Sequence, residues 1–136
     1  MATRSTTDKG RDGCRVPLPW TPEGPSYGFS SQIGHLPQPQ WFGSYAVSVQ
    51  ETAPDSTLNL YRRALALRSR LFTGTDLAWV AAEPSVLQFG RPGGVRCVTN
   101  FGAEPVSFPA GEVLLSSAHL VEGRLPTDAT VWLRVR

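Results

Sequence analysis

The stretch VLQFGRPGGVRCVTNFG, residues 86–102, decides how the carboxy-terminal half folds. Two short apolar runs, Val86 to Phe89 and Val95 to Asn100, flank Arg91-Pro92-Gly93-Gly94. That turn contains a proline that cannot donate to a ladder and two glycines that accept left-handed backbone. The pattern predicts a hairpin of two antiparallel strands. Working outward, the same alternation predicts strands at Leu77 to Ala81, Val106 to Phe108, Glu112 to Ser116 and Thr130 to Val135. The turns fall at Glu83-Pro84, Gly102 to Pro105, Pro109-Ala110-Gly111 and Pro126 to Asp128. Short strands at roughly eight- to twelve-residue spacing read as an antiparallel sandwich or barrel. About 60 residues would bury only about 60% of their unfolded surface, so this domain is expected to lean on the preceding helix.

That helix is expected over residues 55–73. Asp55 and Ser56 are N-cap residues after Pro54. Leu58, Tyr61 and Leu65 form one apolar row, and Leu60, Ala64, Leu67 and Leu71 a second. Two rows suggest packing against two neighbours. Arg68 and Arg70 oppose the negative end of the helix dipole, and Gly74 supplies the stop.

Residues 1–54 are dense in proline and glycine, which leaves room only for a short helix near Trp41 to Val49. Yet Trp20, Tyr27, Phe29, Trp41, Phe42 and Tyr45 all need apolar cover. An aromatic-rich, non-periodic segment of this length wraps another surface or lines a site. The 136-residue chain offers too little surface for it to wrap.

Thirteen basic residues against eleven acidic ones give a net charge of +2, no electrostatic reason to expect nucleic acid or a membrane as partner. Lys9 is the only lysine, which reads as coding bias and not as an arginine cluster for phosphate. No apolar run reaches about 18 residues, and Met1 to Arg15 lack the apolar core of a secretory signal, so a cytoplasmic location is expected. Cys14 and Cys97 are expected as free thiols. Neither these cysteines nor His35 and His119 have metal-ligand spacing, so no metal and no cofactor is expected. Neither histidine has a nucleophile context, and Gly90 to Gly94 reads as a turn and not as a phosphate cradle.

Arg11-Asp12-Gly13-Cys14-Arg15-Val16-Pro17-Leu18-Pro19-Trp20 resembles a segment of the α-glucosidases of glycoside hydrolase family 13, including oligo-1,6-glucosidases and isomaltases. There it reads roughly Arg-Asp-x-x-Arg-[Thr/Val]-Pro-x-x-Trp, after the last catalytic Asp and near the end of a (β/α)8 barrel. Leu36-Pro37-Gln38-Pro39 with Trp41, then Val47-x-Val49-Gln50, and Asp55 to Arg62 look like the lead-in and start of the last barrel helix. Val95 to Phe101 and Glu112 to Ser117 look like strands of the family's C-terminal β-domain. The resemblance covers nearly all of residues 10–135. It implies an α+β chain: residues 1–75 as the remnant of the barrel's C-terminal end, with loops and last helix, and residues 76–136 as a small antiparallel β-sandwich.

By this resemblance Arg15 is the substrate-binding residue, its guanidinium holding glucose hydroxyls or a sugar-binding carboxylate. The plain alternative pairs Arg15 with Asp12 or a backbone carbonyl. The family's nucleophilic Asp, acid/base Glu and stabilising Asp all lie upstream of the matched segment. Retaining hydrolysis needs two carboxyl groups roughly 5 Å apart, and none of the eleven acids has a reason to converge with another. Capping, turn formation and solvated charge explain them. No catalytic residue is therefore assigned, and the chain alone is expected to be inactive. Met1 and the non-matching leader Ala2 to Asp8 suggest a frame opened within a broken gene, or a separately encoded fragment. An oligosaccharide is then a partner only where the missing barrel is supplied. The rival reading is an independent carbohydrate-binding β-module. Trp79 and Trp132 are expected as core or domain-interface packing, and Trp20 and Trp41 as packing on the barrel face or as a sugar platform.

Overall fold

The computed structural model describes residues 14–135. Backbone contacts divide the chain into two compact units, Met1–Asn59 and Leu60–Arg136.

The first unit is mostly irregular, with two 3₁₀ turns, Pro25–Gly28 and Gln40–Tyr45, and one short helix, α1 (Val47–Thr52). The prolines leave few N–H donors for regular ladders, so isolated bonds hold the segment. Pro19 and Trp20 offer their carbonyls to the N–H groups of Val47 and Ser48 at 3.0 and 3.1 Å, which satisfies donors that a helix start leaves over. Tyr27 O accepts from both Trp20 N and Thr21 N. Ser26 and Tyr27 are left-handed, at φ 45° and 50°, between Gly24 and Gly28, also at positive φ. The buried Ser26 hydroxyl donates to Gln32 O at 2.7 Å, which helps hold this strained turn.

The end of α1 is tied to the start of the next helix, α2 (Thr57–Leu71). The Asn59 amide donates to the carbonyls of Gln50, Glu51 and Ala53. Ser56 Oγ accepts from Asn59 N at 3.2 Å, so Ser56 acts as the N-cap. At the far end Arg68 and Arg70 occupy the last turn, and Gly74 adopts φ +83°.

In the second unit, five antiparallel strands make one sheet: β1 (Ala78–Trp79), β2 (Val86–Arg91), β3 (Val95–Asn100), β4 (Glu112–Ser116) and β5 (Ala129–Arg134), in the order β1-β2-β3-β5-β4. The expected hairpin joins β2 to β3, with Gly93 and Gly94 at φ +80° and +74°. One face of the sheet carries the core, built from Val98, Ala129, Val131 and Leu133 with Leu125 from a loop. Val106 and Phe108 cover it from above. The layer opposite the sheet is thus made of loops. Val106 to Phe108 does not form the expected strand but a single bridge to Leu125. Pro105 and Pro109 lack the N–H groups that would extend it. Buried Asn100 stitches this layer to the sheet. Its Nδ2 donates to Glu104 O and Leu125 O at 2.9 and 3.1 Å, and its Oδ1 accepts from Gly102 N at 2.8 Å.

The other face meets α2. Phe72, just past the helix, packs on Trp132 with ring centres 5.0 Å apart. The Arg91 guanidinium lies over the Phe72 ring and donates to Gly74 O and Thr75 O. Of the two places expected for Trp79, core or domain interface, the core is not where it lies. It is 70% exposed and touches Phe89 edge-on at 5.8 Å, because β1 is a two-residue edge strand with nothing above it among the described residues of its unit.

Candidate functional site

Arg15 sits in an irregular stretch and is exposed. Arg11, Asp12 and Gly13, the other half of the motif and of the plain pairing, lie outside the described residues. Proline positions fix the chain after Arg15. Pro17 O accepts from the Gln38 amide at 2.9 Å, joining the Arg15-Val16-Pro17 step to the Leu36-Pro37-Gln38-Pro39 run. Pro22 and Gly43 approach so closely that a Cβ on Gly43 would lie 2.5 Å from Pro22 O. The two segments singled out in the sequence are therefore neighbours in the first unit. Trp41 caps the second of them, stacking edge-on with Phe42 and Tyr45 at 4.5 and 5.7 Å while remaining 59% exposed. Trp20 is 49% exposed.

Acid–base chemistry on a glycosidic bond needs one carboxyl group kept protonated by burial beside another that stays ionised. Every acid among the described residues is exposed. Glu122 and Asp128 take positive φ in turns, at 50° and 52°, and Glu112 lies 3.7 Å from Arg134 at the surface. Among the described residues no three His, Cys, Asp or Glu side chains gather as metal ligands, and no helix is long and apolar enough to cross a membrane. The described thiols are both free: Cys14 is exposed and Cys97 is buried in β3. Burial pushes the Cys97 thiol up from its ordinary pKa, and the contacts to Thr99 and Trp132 offset part of that.

The linking role of Asn59 and the three bonds of Asn100 escaped the sequence reading. The signal for Asn100 was faint: a polar residue at the end of an apolar strand, followed by Phe101-Gly102. The left-handed pair Ser26-Tyr27 had a clearer one, a Gly24-Pro25-Ser26-Tyr27-Gly28 frame.

This architecture defines a small α+β domain built on an open, five-stranded antiparallel sheet, preceded by an aromatic loop unit. Residues 60–132 match the family described as "Domain of unknown function (DUF3459)". The chain is 41% identical over 103 residues to a probable alpha-glucosidase of Rhizobium meliloti (strain 1021), covering 71% of this chain and 18% of that protein. Its fold superposes on isomaltulose synthase from Klebsiella sp. LX3 with a TM-score of 0.76 at 20% identity, over 93% of this chain and 26% of that one. Trehalose-6-phosphate hydrolase of Bacillus licheniformis matches with a TM-score of 0.73 at 20% identity, over 91% and 26%. The chain belongs to the DUF3459 family, the C-terminal domain of glycoside hydrolase family 13 enzymes. It spans about a fifth to a quarter of the length of these relatives.

Proposed function

We propose that this chain is the carboxy-terminal part of an α-glucosidase-type hydrolase that acts on α-glucosidic bonds of oligosaccharides, and that it cleaves nothing unless the catalytic barrel is present. One observation carries the reading: every acid among the described residues stands in solvent. A carboxyl group there has no apolar pocket of the kind that makes a general acid on a glycosidic bond. The likeness to a probable alpha-glucosidase supplies the reaction class. In this reading Arg15 is the chain's contribution to the sugar site, its exposed guanidinium holding hydroxyls of the bound glucose, and carbohydrate metabolism in the cytoplasm is the setting.

The purified chain, incubated with an aryl α-glucoside, maltose or isomaltose, is expected to release no product above a buffer blank. Release that disappears on replacing a single acid, for instance Glu104→Gln, overturns the proposal. The rival reading, an independent carbohydrate-binding module, draws on the exposure of Trp79, since aromatic faces left in water are where sugars stack. Saturable quenching of tryptophan fluorescence by maltose, lost in Trp79→Ala, would establish it instead.

A further inference from the structure

β4 is the last strand of the sheet, paired with β5 on one side and with no strand on the other. A groove runs along that open side. One wall is the strand edge, Val113 to Ser116, and the other is α2, through Arg63, Ala66, Leu67 and Arg70. At about 100° per residue, Arg63, Ala66 and Arg70 stand on the flank of α2 opposite Tyr61 and Leu65. Both arginines are exposed. They are seven positions apart, about 10.5 Å along the helix axis. None of the lining residues is acidic. Ala66, Leu67, Val113 and Leu115 give the groove an apolar floor between a strand edge and two cations.

We infer that this groove binds an extended acidic segment of another polypeptide, laid along β4 with carboxylates facing Arg63 and Arg70. A strand edge, an apolar floor and fixed charges are together what recognition by strand addition uses. In an extended segment, side chains two positions apart point the same way and lie roughly 7 Å from each other. Two such carboxylates fall within reach of two flexible arginine arms, and each can take a pair of parallel N–H bonds. The register slip between Val113 and Leu115 bends the strand, which confines backbone pairing to a short stretch and leaves most of the selectivity to the arginines. A nucleic acid strand would meet the same charges but cannot pair with the edge, and a chain of net charge +2 offers its phosphates little else. A second copy of the chain would set these arginines against their own kind. Binding of this sort needs neither the barrel nor Arg15.

The test titrates the 136-residue chain into a fluorescein-labelled nonapeptide with glutamate at every second position and valine between, read by anisotropy at about 50 mM salt. Saturable binding is expected, several-fold weaker at about 300 mM salt. Arg63→Gln and Arg70→Gln should each weaken it at least about fivefold. Arg124→Gln, which removes an exposed arginine outside the groove, should bind as the wild type does. The double variant Arg63→Glu, Arg70→Glu should lose the acidic peptide and take up its lysine counterpart, a gain that unfolding cannot produce. Equal binding of a peptide with glutamine in place of glutamate, indifference to Arg63 and Arg70, or no binding at all overturns the inference. Tighter binding of a single-stranded oligonucleotide of equal charge assigns the groove to nucleic acid and overturns it as well.

Discussion

Replacing Asn100 by alanine tests the account of the β unit most directly. Asn100 is fully buried, and its side chain makes three hydrogen bonds, all to backbone groups of the loop layer. Their losses are unequal. Leu125 O keeps a second donor, Val106 N at 2.9 Å, so that carbonyl stays satisfied. Glu104 is exposed, and water takes over at its carbonyl. Gly102 N loses its acceptor in a part-buried site, which costs about 1–3 kcal/mol. The two lost Nδ2 bonds add roughly 0.5–1.5 kcal/mol each before water offsets one of them. The sum is about 2–4 kcal/mol. In a unit of this size a change of 1 kcal/mol moves the midpoint by roughly 4–8 °C, so a fall of at least about 8 °C is expected. Urea unfolding followed by tryptophan fluorescence reads it, with the midpoint lowered and the slope unchanged. A loss under about 1 kcal/mol would refute the claim that Asn100 fastens the loop layer to the sheet.

Two further expectations concern the same sheet. Gly94→Ala places a Cβ 2.7 Å from Val135 O at φ +74°, whereas a Cβ on Gly93, at φ +80°, meets nothing within 4 Å. Both lose the left-handed allowance of about 1 kcal/mol, but Gly94→Ala must lose more, and equal losses in denaturant would show that the close approach is not rigid. For the thiols, a disulfide reagent should modify exposed Cys14 at once and buried Cys97 only at the rate of unfolding. Because burial raises the Cys97 pKa in the fold, the unfolded chain loses that proton first as pH rises. The contribution is therefore intact below the ordinary thiol pKa and declines above it. Cys97→Ser should flatten that alkaline decline, and an unchanged pH profile would contradict it.

The strands that begin directly after a glycine, Gly94 and Gly111, were legible almost to the residue: Val95–Asn100 and Glu112–Ser116 stand where the alternation put them. Local chemistry decides such elements. The places that differ depend on neighbours distant in sequence. Val106 to Phe108 has strand composition but faces a partner, Leu125, that pairs at one position only. Trp79 has the look of a core or domain-interface residue, yet whether it is covered depends on what lies beyond a two-residue edge strand. At the candidate site, the motif singled out Arg15 by resemblance alone. The contact of Pro17 with the Gln38 amide was not, because the bond crosses 21 residues of irregular chain. The two apolar rows of α2 were visible in the spacing, but not that Tyr61 and Leu65 would stand exposed.

A sheet that does not close on itself has two rims, and each presents backbone groups on which other chains could grow as fibres. Here one rim is β1, only two residues long. The other is β4, whose register slips between Val113 and Leu115 and whose first residue carries a charge held near Arg134. Neither offers a straight template. Cross-β growth is thereby blunted at both margins, and the solubility of the isolated chain turns on side chains instead of on unpaired amides.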